Sequence, residues 1–127
     1  MGNEAIKKLA NDFLDAIERG DIETVRAIYA PDAVVWHNND NVVQPVADNL
    51  ATLTSFIKYV PERRYTNRRI EAFDGAFVDQ HLLEGKLASG KEVSMAACLI
   101  CKVVNGRITR LDEYFDSARV AEFRKSA

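Results

Sequence analysis

Two dipeptides, Asp74-Gly75 and Asn105-Gly106, constrain this chain more than any other feature. Asp-Gly or Asn-Gly between β-prone runs is a strong signal for a two-residue hairpin, because both turn residues must take positive φ. Ser89-Gly90 is a weaker signal of the same kind. The three turns divide the chain after Pro61 into four strand-like runs, near 63–73, 76–87, 92–104 and 107–115. Successive strands joined by tight turns make an antiparallel sheet, which needs an apolar layer on at least one face.

The preceding residues supply that layer. Ile6, Leu9, Phe13 and Ile17 recur at spacings of three and four with charges between them, which predicts an amphipathic helix ended by Gly20. Asp21 caps a second, short helix that buries Ile22, Val25 and Ile28 and stops at Pro31. The period changes at 32–38, where Ala33-Val34-Val35-Trp36 reads as a strand running into the polar cluster His37-Asn38-Asn39-Asp40. A third helix starts near Pro45, buries Leu50, Leu53, Phe56, Ile57 and Val60, and ends at Pro61. A short helix capped by Asp116 or Ser117 follows the last strand. The predicted order is α-α-β-α-β-β-β-β, an α+β domain with helices on one face of a curved sheet.

Size and charge then exclude several functions. A chain of 127 residues, 47% hydrophobic, reads as a single domain spanning 1–127 with its own core. With 17 Lys+Arg against 19 Asp+Glu the formal charge is −2, which argues against nucleic acid as a partner. No apolar run approaches the ~18–20 residues that cross a bilayer, and the polar start from Asn3 has no signal-peptide core. The expectation is a cytoplasmic protein without membrane contact.

Alternation locates the candidate chemistry. Positions two apart share a face of a strand, so Phe77, Asp79, His81 and Leu83 point one way in one strand. Thr109, Leu111, Glu113 and Phe115 do so in the last, and Val35 and His37 in the first. If these are the helix-covered faces, two histidines and two carboxylates enter an apolar interior. Buried ionisable groups must be paired, either to satisfy one another or to work. A histidine beside a carboxylate is a general acid or base near neutral pH. His37, His81, Asp79 and Glu113 are therefore the candidate catalytic residues, and Trp36, Asn38 and Tyr114 are candidate walls of the same site.

Other motifs carry less. Cys98 and Cys101 match C-x-x-C, but residues three apart in a strand face opposite sides with α-carbons roughly 10 Å apart, beyond disulfide reach. No metal or cofactor is expected. The run Arg63-Arg64-Tyr65-Thr66-Asn67-Arg68-Arg69 reads as a solvated strand or subunit contact. There is no Gly-rich phosphate loop and no G-x-S-x-G elbow.

Three segments carry a family likeness: 13–21 (FLDAIERGD), 32–38 (DAVVWHN) and 105–116 (NGRITRLDEYFD). With them the chain resembles the SnoaL-like branch of the nuclear transport factor 2-like superfamily, which includes ketosteroid isomerases, polyketide cyclases, scytalone dehydratase and limonene epoxide hydrolase. The resemblance implies a cone-shaped sheet wrapped around helices, an apolar pocket for a small hydrophobic molecule, and a homodimer. It places His37 where the isomerase has its carboxylate base, and Phe13 where the isomerase has an oxyanion-hole tyrosine. Near Ile100 the isomerase carries a protonated aspartic acid, and this chain has no donor there. The Asp-Arg-Asp set of the hydrolase maps onto Asp79, His81 and Glu113 without its arginine, and Leu111 replaces a pocket tryptophan. Ordinary ketosteroid isomerase activity is thus not expected. The chemistry in prospect is cofactor-independent acid–base catalysis (isomerase, dehydratase, cyclase or epoxide-hydrolase type), and the alternative is a non-catalytic ligand-binding or dimeric partner domain.

Overall fold

The element order is α1 (Asn3–Glu18), α2 (Ile22–Ile28), β1 (Tyr29–His37), β2 (Val42–Pro45), α3 (Val46–Tyr59), β3 (Glu62–Phe73), β4 (Ala76–Lys86), β5 (Glu92–Val104), β6 (Arg107–Phe115) and α4 (Ser117–Arg124). These come from a computed structural model that describes residues 1–124. The hairpins form where the dipeptides predict them: Asp74 and Gly75 take φ of 44° and 75°, and Asn105 and Gly106 take 52° and 76°. The six strands make one curved open sheet in the order β2-β1-β6-β5-β4-β3. Every neighbouring pair is antiparallel except β1 with β6, which is parallel.

Helix α1 buries Ile6, Ala10, Phe13, Leu14 and Ile17 against the inner face of the sheet. It is followed by Gly20 at φ 74°, and the Asp21 amide donates back to the Ala16 carbonyl at 2.8 Å. Asp21 caps α2 as predicted, accepting from the Thr24 amide at 3.1 Å and from its hydroxyl at 2.6 Å. A second apolar cluster gathers at the other end of the sheet, where Val60, Leu83, Leu87, Val93, Met95 and Phe123 meet. Gly85 permits this approach, since a Cβ there would run into Val60 Cγ1.

Four expectations need correction. Helix α2 stops at Ile28, three residues before Pro31, because Tyr29 already pairs with Ile108 in the sheet. Pro31 sits exposed inside β1, where a register shift between Tyr29 and Val34 accommodates a residue with no amide to donate. Strand β2 adds an element before the third helix, pairing Val42 to Pro45 with β1 as an edge hairpin. Thr109 leaves the inward set, because the register slips between Lys102 and Val103 and its hydroxyl turns to the Lys102 carbonyl at 3.5 Å.

The fourth is Arg63, which is buried rather than solvated. Its guanidinium donates to the carbonyls of Ile17 (3.0 Å), Glu18 (2.9 Å), Ile57 (3.3 Å) and Val60 (2.7 Å). Those carbonyls lie at the ends of α1 and α3, where intrahelical donors run out, so one side chain ties both helices to β3. Arg68 completes this seam with ion pairs to Asp15 at 2.8 Å and Glu18 at 3.2 Å. Among the described residues, no helix is long and apolar enough to cross a membrane.

Candidate acid–base site

Strand register builds the site. Asp79, Leu99 and Glu113 are successive partners across β4, β5 and β6, and Glu113 is the partner of His37 on β1. His37, Glu113, Leu99 and Asp79 therefore form one rung across the inner face. His81 lies two residues along β4 from Asp79, in the next rung with Ala97 and Phe115. The backbone at His37 is pinned on both sides: its carbonyl accepts from the Asn41 amide, and the Asn38 amide donates to the Glu113 carbonyl, each at 3.1 Å.

Two histidine–carboxylate pairs result, and they differ. His81 Nδ1 lies 2.5 Å from Asp79 Oδ2, with the two side chains 1% and 0% exposed. An ionised carboxylate at Nδ1 selects the tautomer that carries its proton there and leaves Nε2 with a free lone pair. His81 Nε2 and the second oxygen, Asp79 Oδ1, are buried without a hydrogen-bond partner among the described residues. The imidazole packs edge-on against Tyr65, with ring centroids 4.6 Å apart.

The other pair is wetter. His37 Nε2 lies 3.1 Å from Glu113 Oε1, with 18% and 22% of the side chains exposed. Burial works to lower the His37 pKa, but the hydrogen bond and charge of Glu113, with Asp40 beyond, outweigh it. The imidazole is thereby held above its ordinary value and favours the charged form. On their shared rung, Glu113 and Asp79 are separated by two strand spacings, roughly 9.5 Å between backbones.

His37, Glu113 and His81 line one cavity of about 750 Å³ between the sheet, α1, α3 and α4. That volume suits a single small organic molecule. Its walls are mostly apolar and aromatic, with Phe13, Ile17, Val35, Leu99, Leu111 and Phe115 among them.

Residues 10–111 match the SnoaL-like domain, which is most of the chain. The chain belongs to the SnoaL-like domain family. A comparison with the curated proteins finds no match. Among solved structures, this SnoaL-like chain superimposes on a proposed polyketide cyclase from Xanthomonas campestris pv. campestris with a TM-score of 0.83 at 17% identity, over 95% of this chain and 98% of that one. It matches an epoxide hydrolase of M. tuberculosis with a TM-score of 0.76 at 22% identity, over 95% and 90% of the two chains. A nuclear transport factor 2-like protein from Burkholderia xenovorans gives 0.78 at 20% identity, over 96% and 97%. Identities this low establish the shared fold and leave the reaction to the site itself.

Within the SnoaL-like fold, the sequence candidates divide cleanly. His37, His81 and Glu113 line the cavity with Phe13 and Leu111, and Asp79 stands behind His81. Trp36 and Tyr114, expected as walls, each lie one residue from an inward-facing partner and so point to the outer face. There they pack edge-on at 5.1 Å, and Trp36 Nε1 donates to Asn41 Oδ1 at 2.8 Å. Asn38 is not a wall either. Its amide nitrogen donates to the Phe115 carbonyl at 2.9 Å and its amide oxygen accepts from the Phe115 amide at 3.1 Å, clamping the end of β1 to β6. Ile100 also faces out, between inward Leu99 and Cys101.

Two cavity phenols escaped the sequence reading. Tyr29 opens β1 and packs edge-on against Phe13 at 5.4 Å, and Tyr65 of β3 is the partner of Leu83. Burial pushes both phenols well above the ordinary tyrosine value, with the charge of Glu113 adding to the effect, so both remain protonated donors. Alternation within the arginine-rich run carried the signal for Tyr65, which shares a face with Arg63. Burial likewise pushes the thiols of Cys98 and Cys101 up, Asp79 contributing, so neither is an activated nucleophile. Among the described residues, no three His, Cys, Asp or Glu side chains are grouped to hold a metal ion.

Proposed function

We propose that this SnoaL-like chain is an acid–base enzyme acting on a small hydrophobic molecule held in the cavity. The observation that carries the reading is the asymmetry of the two histidine–carboxylate pairs facing one apolar space. His81, held by Asp79 and free at Nε2, is the proton acceptor. The His37–Glu113 pair, which favours the charged imidazole, is the proton donor. Tyr65 and Tyr29 supply hydrogen bonds to an oxygen of the substrate. Taking a proton at one place and returning one at another is common to isomerisation, dehydration, cyclisation and epoxide opening, and the side chains present serve all four without a further group.

The polyketide-cyclase and epoxide-hydrolase descriptions of the structural neighbours support chemistry of this kind. The test is turnover of a panel of hydrophobic ketones, epoxides and alcohols by the wild type and by His81→Ala. The expected loss in the variant is about two to four orders of magnitude in kcat. Equal rates in both chains would falsify the assignment. Tight binding across the panel with no turnover would move the chain to the class of non-catalytic ligand carriers.

A further inference from the structure

We infer that Phe123 fixes the length of ligand the cavity accepts, with α4 serving as its end wall. The inference rests on the cavity being the ligand site. Phe123 and Val120 both line the cavity, and Phe123 is 5% exposed. Its ring lies 6.4 Å from that of Phe56 on α3, so the wall is built jointly by two helices.

Register says what the wall meets. His81 and Leu83 are two residues apart on β4, and Leu83 pairs with Met95 on one side and Tyr65 on the other. The Met95–Leu83–Tyr65 rung therefore lies roughly 6.8 Å beyond the His81 rung. This rung belongs to the second apolar cluster, together with Val60 and Phe123. A ligand whose reacting atoms sit at His81 lays its apolar extension along Leu83 and Met95 and ends against Phe123.

The way α4 is held makes it adjustable. Asp116 caps it, accepting from the Ala118 amide at 3.0 Å, and its Arg119–Glu122 ion pair at 3.2 Å is internal to the helix. The apolar contacts of Val120 and Phe123 dock it on the domain. It also follows the 10–111 segment that matches the family domain. Replacing Phe123 changes where the cavity ends without touching His37, Glu113, Asp79 or His81.

The test is binding of linear ketones from 2-hexanone to 2-dodecanone, read as depletion of the volatile ketone by headspace gas chromatography. Wild-type affinity should rise about fourfold per added methylene until the chain meets the wall, then stop rising. In Phe123→Ala the plateau should move about two carbons longer, with at least about tenfold tighter binding of the longest ketones. In Phe123→Trp it should move shorter, and Phe123→Leu should fall between wild type and alanine. A merely structural role would lower the melting temperature and weaken all ketones alike, with the plateau unmoved; that result overturns the inference. Should Phe123→Ala not fold, an unmoved plateau in Phe123→Trp overturns it equally. Failure of the wild type to retain any ketone overturns the cavity as ligand site, and the inference with it. A moved plateau without turnover leaves the end wall standing and removes only the catalytic reading.

Discussion

His37 and Glu113 are partners in the parallel pairing of β1 with β6, and their side chains meet at 3.1 Å on the inner face. Each is one residue away from an aromatic, Trp36 and Tyr114, that pairs on the opposite face. One register thus fixes an ion pair on one side of the sheet and an aromatic contact on the other.

That pair makes stability depend on pH in a definite direction. The folded-state pKa of His37 lies above the ordinary 6.5. Its contribution is therefore fully present below pH 6.5 and is lost as pH rises through the folded value. Denaturation of wild type and Glu113→Gln across about pH 5.5 to about pH 8.5 should show the difference between them shrinking as pH increases. A difference that grows with pH would defeat this account of the pair.

Asp79 orients His81, so Asp79→Asn should keep the geometry and spoil the tautomer. Turnover is expected to fall by about two to four orders of magnitude, with the circular dichroism spectrum unchanged. Nitrogen chemical shifts of His81 should report the proton moving from Nδ1 to Nε2. Unchanged shifts and rate would leave Asp79 a passive neighbour.

Tyr65 offers a separable test, because its ring packs on His81 and its hydroxyl is a donor. Tyr65→Phe retains the ring and removes only the hydroxyl. A fall of about a hundredfold in kcat with KM nearly constant is expected if the phenol stabilises charge in the transition state. A rise in KM alone would reassign it to ground-state binding.

Arg63→Met tests the fold rather than the chemistry. Losing donors to four helix-end carbonyls should cost about 3–5 kcal/mol in urea denaturation. A cost below about 1 kcal/mol would mean that those carbonyls find other partners.

What the sequence disclosed follows from how local each signal is. The four long strands were legible because their ends are marked by turn residues whose backbone requirement is local, as at Asp74-Gly75 and Asn105-Gly106. The inward set Phe77, Asp79, His81 and Leu83 was legible because alternation is local too. Strand β2 was hidden because Val42 and Val43 are both exposed, so its four residues show no alternation. Tyr29 looked like the end of a helix because its strand partner, Ile108, is 79 positions away (108 − 29). Arg63 looked solvated because two of the four carbonyls it serves come from a helix 45 and 46 residues upstream. Trp36 and Tyr114 were misplaced for a simpler reason: each neighbours a cavity residue in sequence, and in a strand neighbours face apart.

The parallel pairing of β1 with β6 also orders events in time. In a chain made from its N-terminus, His37 emerges with β1, long before the strand that carries Glu113. Strand β1 can hairpin with β2 at once, but its other edge stays open until residues 107–115 arrive. Contacts of such long sequence separation close slowly and late. The His37–Glu113 pair and the last seam of the sheet are therefore completed in the same step, so a chain that has not finished folding has no assembled candidate site to expose.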